Sequence, residues 1–203
     1  MSKESKLTNI VETNGKPSKA EAEEAVRTLI SWAGDNPLRH GLIDTPARVL
    51  KVFQEHYSGY NADPEETLRK ATEDSDGYQD IVILKNMRFV SHCQHHMAPI
   101  IGKAHIAYIP NKKVVGISKL ARILDIFAKR LQKQEALTSQ IADIIEHVLQ
   151  PKGVAVIIDA EHQCMTTRGV RKHNTTTITR KLTGIFIEDS SKRAELSALI
   201  AQE

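Results

Sequence analysis

Ala22, Ala25, Val26 and Leu29 recur at helical spacing, which predicts a helix from Lys19 to Trp32 with Ser18 as its cap. The run Gly34-Asp35-Asn36-Pro37 ends it. Thr45-Pro46 then reads as a cap followed by proline at the first helical position, opening a helix with Val49, Leu50 and Phe53 along one side. A short acidic helix is expected over 64–72, and Asp74-Ser75-Asp76-Gly77 reads as a turn.

From Gln79 the period shortens. Ile81 to Leu84 and Met87 to Val90 predict an extended segment interrupted at Asn86, running into Ser91-His92-Cys93-Gln94-His95-His96. Residues 100–109 and 113–117 read as a hairpin arm and its return, with Pro110 and Asn111 starting the turn. Helical spacing returns from Ser118 to about Leu131, with Leu120, Ile123, Leu124, Phe127 and Leu131 on one face. It returns again over Gln134–Leu149, with Leu137, Ile141, Ile144, Ile145 and Val148 inward, stopped by Pro151 and Gly153. A strand over 154–165, a Thr-rich strand region over 174–187 broken at Gly184, and a final helix over 190–201 complete an α+β pattern. The expected divisions are a tail over 1–18, a helical region over 19–78 and a strand-rich region over 79–203.

Composition narrows the classes of function. The chain has 203 residues, of which 40% are hydrophobic, enough for a sizeable core. Twenty-eight Lys and Arg against twenty-five Asp and Glu leave +3, too near balance to imply wrapping of a nucleic acid. No apolar stretch approaches the roughly 20 residues needed to span a bilayer, and the N-terminus lacks a signal-peptide core, so no membrane partner and a cytoplasmic location are expected. Only two cysteines occur, Cys93 and Cys164. In a chain of this size a shared metal or catalytic role is a stronger reading than a structural disulfide.

Alternation along the strand from Val154 puts Val156, Ile158, Ala160, His162 and Cys164 on one face, so an apolar row ends in an imidazole and a thiol. Cys93 and His96 are three apart and chelate together only if the chain turns after Cys93. A zinc site on Cys93, His96 and Cys164 would keep a fourth position open to water, the arrangement of a catalytic centre. A closed structural site that adds His162 has equally suitable chemistry, and buried cysteines that bind nothing are the plain alternative. His95 and His162 are candidate acid–base groups, whereas His92 and His105 read as structural or solvent-facing.

Lys119 and Arg122 fall in the first turns of the helix that Ser118 is expected to cap, where cations oppose the helix dipole. An anion such as phosphate would offset them; solvated surface charges would explain them equally well. Arg168, just after Cys164, and Arg48 are further candidate cations. Gln134 and Glu135 open the following helix; most such pairs are simply favourable surface residues, although a carboxylate there can accept two N–H donors from the edge of guanine.

Thr45-Pro46-Ala47-Arg48, Cys93-Gln94-His95-His96, Ala107-Tyr108-Ile109-Pro110, Gly116 to Arg122, Gln134-Glu135, and Asp159 to Cys164 with Arg168-Gly169 occur in this order. In these motifs the chain resembles the GTP cyclohydrolase I family. The resemblance implies the tunnelling fold, an antiparallel sheet with helices packed on one side, assembled as a homo-oligomer of two stacked five-membered rings. It implies conversion of GTP and water to formate and 7,8-dihydroneopterin triphosphate, with zinc on Cys93, His96 and Cys164. Glu135 with Gln134 would recognise guanine. Lys119, Arg122, Arg168 and an Arg48 from a neighbouring subunit would receive the triphosphate. His95 and His162 would move protons, with Ser118 near the ribose. The family usually has Glu where this chain has Gln94, which replaces a charged acceptor at a catalytic position by a neutral amide.

Overall fold

The structure, a computed structural model, describes residues 15–202. The expected tail over 1–18 therefore lies outside the described residues except for 15–18. The chain divides into two compact units, one through Glu55 and one from His56. The region expected as one helical stretch over 19–78 thus contributes its last part to the larger unit.

In the smaller unit, helix α1 (Lys19–Trp32) starts at a capping box in which Ser18 accepts from Glu21 N–H and the Glu21 carboxylate accepts from Ser18 N–H. Helix α2 (Thr45–His56) begins at Thr45 itself, because the Asp44 carbonyl takes the first helical bond from Arg48 N–H.

The larger unit continues with a 3-10 turn (Ser58–Asn61) and helix α3 (Pro64–Arg69), capped by Asp63. Strands β1 (Thr72–Asp74), β2 (Val82–Cys93), β3 (Pro99–Ile109) and β4 (Lys113–Val115) follow. Next come helix α4 (Ile117–Ala128), strand β5 (Leu131–Gln132), helix α5 (Gln134–Leu149), strand β6 (Gly153–His162) and the single turn α6 (Gln163–Thr166). Strand β7 (Thr176–Leu182), the short helix α7 (Ile185–Glu188) and helix α8 (Ser190–Ala201) end the chain.

The main sheet has the order β5-β2-β3-β6-β7, antiparallel throughout β2-β3-β6-β7, with β5 joined to β2 in parallel. β4 does not return along β3 as a hairpin arm; it pairs with β1 in a separate two-stranded sheet. β3 already has β2 and β6 on its two edges, so no ladder remains there for a return strand. The interruption expected at Asn86 is a register irregularity between Leu84 and Met87, with Asn86 at a φ of 58°.

One face of the sheet carries Phe89, Ile100, Ile106, Tyr108, Val156 and Ile158 against Leu120, Ile123 and Leu124 of α4 and Leu137, Ile141 and Ile145 of α5. Burying each such side chain contributes about 1.5–3 kcal/mol. The predicted apolar faces of both helices are therefore what fixes them to the sheet, in the α+β arrangement with long helices on one side. The opposite face is covered at one end, where Ala107, Ile109 and Ala155 meet Phe186 and Leu196 of the C-terminal helices. No described helix is long and apolar enough to cross a membrane.

Candidate active site

Cys93 is the last residue of β2, and the chain reverses immediately after it. Its N–H donates to the Ala98 carbonyl at 2.8 Å, and its own carbonyl accepts from His96 N–H at 3.3 Å and Met97 N–H at 2.7 Å. Met97 sits at a φ of 54°, the left-handed conformation that closes so tight a loop. The expected turn is thus present, and it brings Cys93 and His96 to one side. β5 braces it: Gln94 N–H donates to the Gln132 carbonyl at 3.0 Å. The Gln132 amide in turn donates to the Phe127 carbonyl at 2.8 Å and to Gln140 Oε1 at 2.9 Å. Sequence reasoning missed this brace, because a two-residue strand leaves no periodicity to read.

Cys164 does not lie on the strand face beside His162. β6 ends at His162, and Cys164 sits in the helical turn α6. The physical reason lies in the flanking strands. The β3–β6 register closes at Ile100↔His162 beside Pro99, which has no N–H to offer, and the β6–β7 register closes at Glu161↔Thr176. With no partner on either edge the chain coils, and the Thr167 N–H takes the Gln163 carbonyl at 3.0 Å.

The turn after β2 and the turn after β6 bring Cys93, His96 and Cys164 together, with one ligand atom of each lying within 4.8 Å of the others. Cys93 is buried, Cys164 half-buried and His96 exposed, and both cysteines are free thiols. Burial, followed by the adjacent Cys93, pushes the Cys164 thiol up, with Arg168 opposing. A bound cation opposes that rise by favouring the Cys164 thiolate. The donor set, two sulfurs and an imidazole, fits a metal of borderline softness. His162, the fourth ligand of a closed site, is not part of this group.

Around the triad, His95 Nδ1 lies 3.7 Å from Cys93 Sγ. Arg168 Nη1 donates to His96 Nε2 at 2.8 Å. His162 Nε2 lies 2.8 Å from Gln134 Oε1. Burial holds the His162 imidazole below its usual range, with the charge of Glu135 opposing, so the neutral ring is favoured. Gln94 is exposed beside its buried neighbour Cys93.

Gln134 departs from expectation. It is 1% exposed, and its Nε2 faces Ile158 O, Thr177 O and Thr179 Oγ1 at 3.1, 2.7 and 3.2 Å. Its amide is fully engaged inside the protein and has no donor left for a guanine edge. Glu135, the next residue, is exposed in the first turn of α5. Sequence reasoning paired the two as neighbours; helix geometry turns successive side chains about 100° apart, so they serve different surroundings.

Ser118 is not the cap of α4, which starts at Ile117 after Gly116 with no side-chain cap bond. Ser118 and Arg122 are exposed and Lys119 is half-buried. Arg122 lines a cavity of about 210 Å³ with Lys129, Asp125 and Gly59. Arg48, in the smaller unit, is exposed and lies 3.4 Å from Asp44. His92 is buried against the His56 ring at a centroid distance of 4.3 Å and the Tyr57 ring at 5.5 Å, and His105 is 9% exposed; both fit the structural reading.

A family model described as GTP cyclohydrolase I matches residues 22–201. A protein named GTP cyclohydrolase 1 from Maricaulis maris is 56% identical over 187 residues, covering 92% of this chain and 91% of its own. The protein of that name from Brucella anthropi is 56% identical over 179 residues, covering 88% and 84%. That from Sinorhizobium fredii is 52% identical over 189 residues, covering 93% and 92%. Among solved structures, the archaeosine synthase QueF-Like in the apo form superposes with a TM-score of 0.43 at 18% identity, covering 51% of this chain and 93% of that one. Identity above one half over most of both chains, in a chain whose two cysteines and one histidine converge from separate turns, leaves one conclusion: the chain belongs to the GTP cyclohydrolase I family.

Proposed function

We propose that the protein hydrolyses and rearranges GTP to formate and 7,8-dihydroneopterin triphosphate, with zinc held by Cys93, His96 and Cys164. The convergence of these three side chains within 4.8 Å carries the reading. Bound there, zinc supplies a Lewis acid able to activate water near neutral pH, the chemistry needed to open the imidazole ring of guanine at C8.

The chain's own residues divide the remaining work. Glu135, exposed at the start of α5, accepts the two N–H donors of the guanine edge. His162 and His95 exchange protons as the ring opens and the formamide is cleaved. Ser118 serves the ribose, while Lys119, Arg122 and Arg168 receive the triphosphate with Arg48 of a neighbouring subunit. Were His96 to hold the metal, its hydrogen bond from Arg168 would be given up, because a neutral imidazole has a single lone pair to offer. The guanidinium is then free for phosphate. The assembly in this reading is a decamer of two pentameric rings in the cytoplasm.

Incubation of zinc-replete protein with GTP tests the reading through two products, formate and the fluorescence of the oxidised pterin. Both are expected from the native chain. Cys164→Ala is expected to carry little zinc by elemental analysis and to form neither product. GTP binding by the native, zinc-replete chain without either product would overturn the assignment.

A further inference from the structure

Gln134 sits at the first position of α5, buried between that helix and strands β6 and β7. Its carboxamide has two distinguishable ends, and the surroundings decide which is which. Nε2 faces two backbone carbonyls, Ile158 O at 3.1 Å and Thr177 O at 2.7 Å, together with Thr179 Oγ1 at 3.2 Å. Reversing the amide would set an oxygen against two carbonyl oxygens, neither of which can donate, leaving only the Thr179 hydroxyl to face it with a proton.

The hydroxyls reinforce this direction. Thr138 Oγ1 donates to the Gln134 carbonyl at 2.8 Å. Its single proton is thereby committed, so across the 2.7 Å Thr138–Thr179 contact Thr179 is the donor. Thr179 Oγ1 has then given its own proton and can only accept from Gln134 Nε2. The circuit runs from Gln134 Nε2 through Thr179 and Thr138 back to the Gln134 main chain, and every proton in it has one consistent place.

One contact remains. Gln134 Oε1 lies 2.8 Å from His162 Nε2, and an amide oxygen can only accept. We propose that Gln134 is a positioning residue that holds His162 in the tautomer with its proton on Nε2, leaving Nδ1 as the ring nitrogen with a lone pair to offer the substrate. This inference rests on the GTP-hydrolysing reading above and replaces guanine recognition as the role of Gln134. The carbonyls that orient the amide belong to β6 and β7, so the sheet itself sets the ring through one side chain. The same principle orients metal-bound and catalytic histidines, whose second nitrogen is fixed by a hydrogen-bond partner.

Two measurements test it on the zinc-loaded protein. Magic-angle-spinning NMR of protein labelled with 15N-histidine identifies His162 by the resonance lost in His162→Ala. The Nε2-protonated pattern is expected, and the Nδ1-protonated pattern overturns the proposal without any change to Gln134. Kinetics supply the second test. Gln134→Met keeps the length and removes the acceptor. The dissociation constant for GTP is expected to stay within about threefold, while kcat falls by roughly 10- to 100-fold, the usual range when an orienting partner is removed. In a His162→Ala background the same substitution is expected to change residual kcat by less than about twofold, since its effect passes through the ring. A weakened GTP affinity with kcat retained would restore guanine recognition, and an equal loss in both backgrounds would reduce Gln134 to a structural role. If the native protein forms no formate or pterin, the functional reading falls on its own, while the tautomer assignment stands or falls by NMR.

Discussion

Gln94 stands where the resemblance to the family implies a glutamate, and its surroundings limit the consequence. The turn that aligns Cys93 with His96 is built from main-chain bonds of Cys93, His96, Met97 and Ala98, and Gln94 enters it through its N–H to Gln132 O. The ligand positions do not depend on the Gln94 side chain, which is exposed. Gln94→Glu is therefore expected to leave zinc content at the native level and to change kcat/KM for GTP by less than about tenfold, the low end for a residue outside the ligand set. Elemental analysis beside formate and pterin assays makes the comparison; a rise in bound zinc with a larger gain in rate would show that the amide impairs the site.

Strand β3 shows how closely an element must fit for the site to form. Gly102 pairs with Ala160 of β6, two register positions from the Ile100↔His162 pair that ends the ladder. A Cβ at Gly102 would overlap the Asp159 carbonyl oxygen and the Ala160 side chain. Relief requires β3 and β6 to separate close to where β6 ends at His162 and hands over to the turn that carries Cys164. Gly102→Ala is expected to destabilise the protein by about 1–3 kcal/mol, the usual penalty for overpacking, and to weaken zinc retention in a chelator competition. Thermal melting with unchanged midpoint and unchanged zinc loss would contradict this account. The helices follow a different logic: α4 and α5 are held on the sheet by an apolar stripe that recurs along their length.

Across the whole molecule, several imidazoles have lost water. Burial holds His105 below its usual range, helped by the charges of Lys103 and Lys85, while Asp159 pulls the other way. Its Nδ1 also accepts the Asn86 N–H at 3.4 Å. The unfolded chain takes up a proton at this residue near pH 6.5, before the folded protein does. Above that pH the two states bind protons equally and stability is complete. As pH falls below about 6.5 toward the depressed folded value, the unfolded state binds more protons and stability is lost. His105→Gln is expected to lose less melting temperature than the native protein between pH 7 and the acid side of this window. Equal losses in calorimetry would exclude His105 as a contributor.

Local features of the sequence determined much of this protein. The apolar spacing of Leu120 to Phe127 and Leu137 to Val148 defines two helices without reference to anything else, because a 3.6-residue period and its buried stripe lie within a single segment. Ser18 stops α1 on its N-terminal side by a contact three residues long. The residue types of the triad, and the need for a turn after Cys93, were equally legible. The partner of β4, the two-residue brace β5, the coil that carries Cys164 off its strand and the inward turn of Gln134 were not. Each depends on which edges and carbonyls are left unpaired once distant segments meet. Hydrogen-bond satisfaction is settled over the assembled fold, and there the tertiary structure decides how Cys93, His96 and Cys164 converge and which nitrogen of His162 carries its proton.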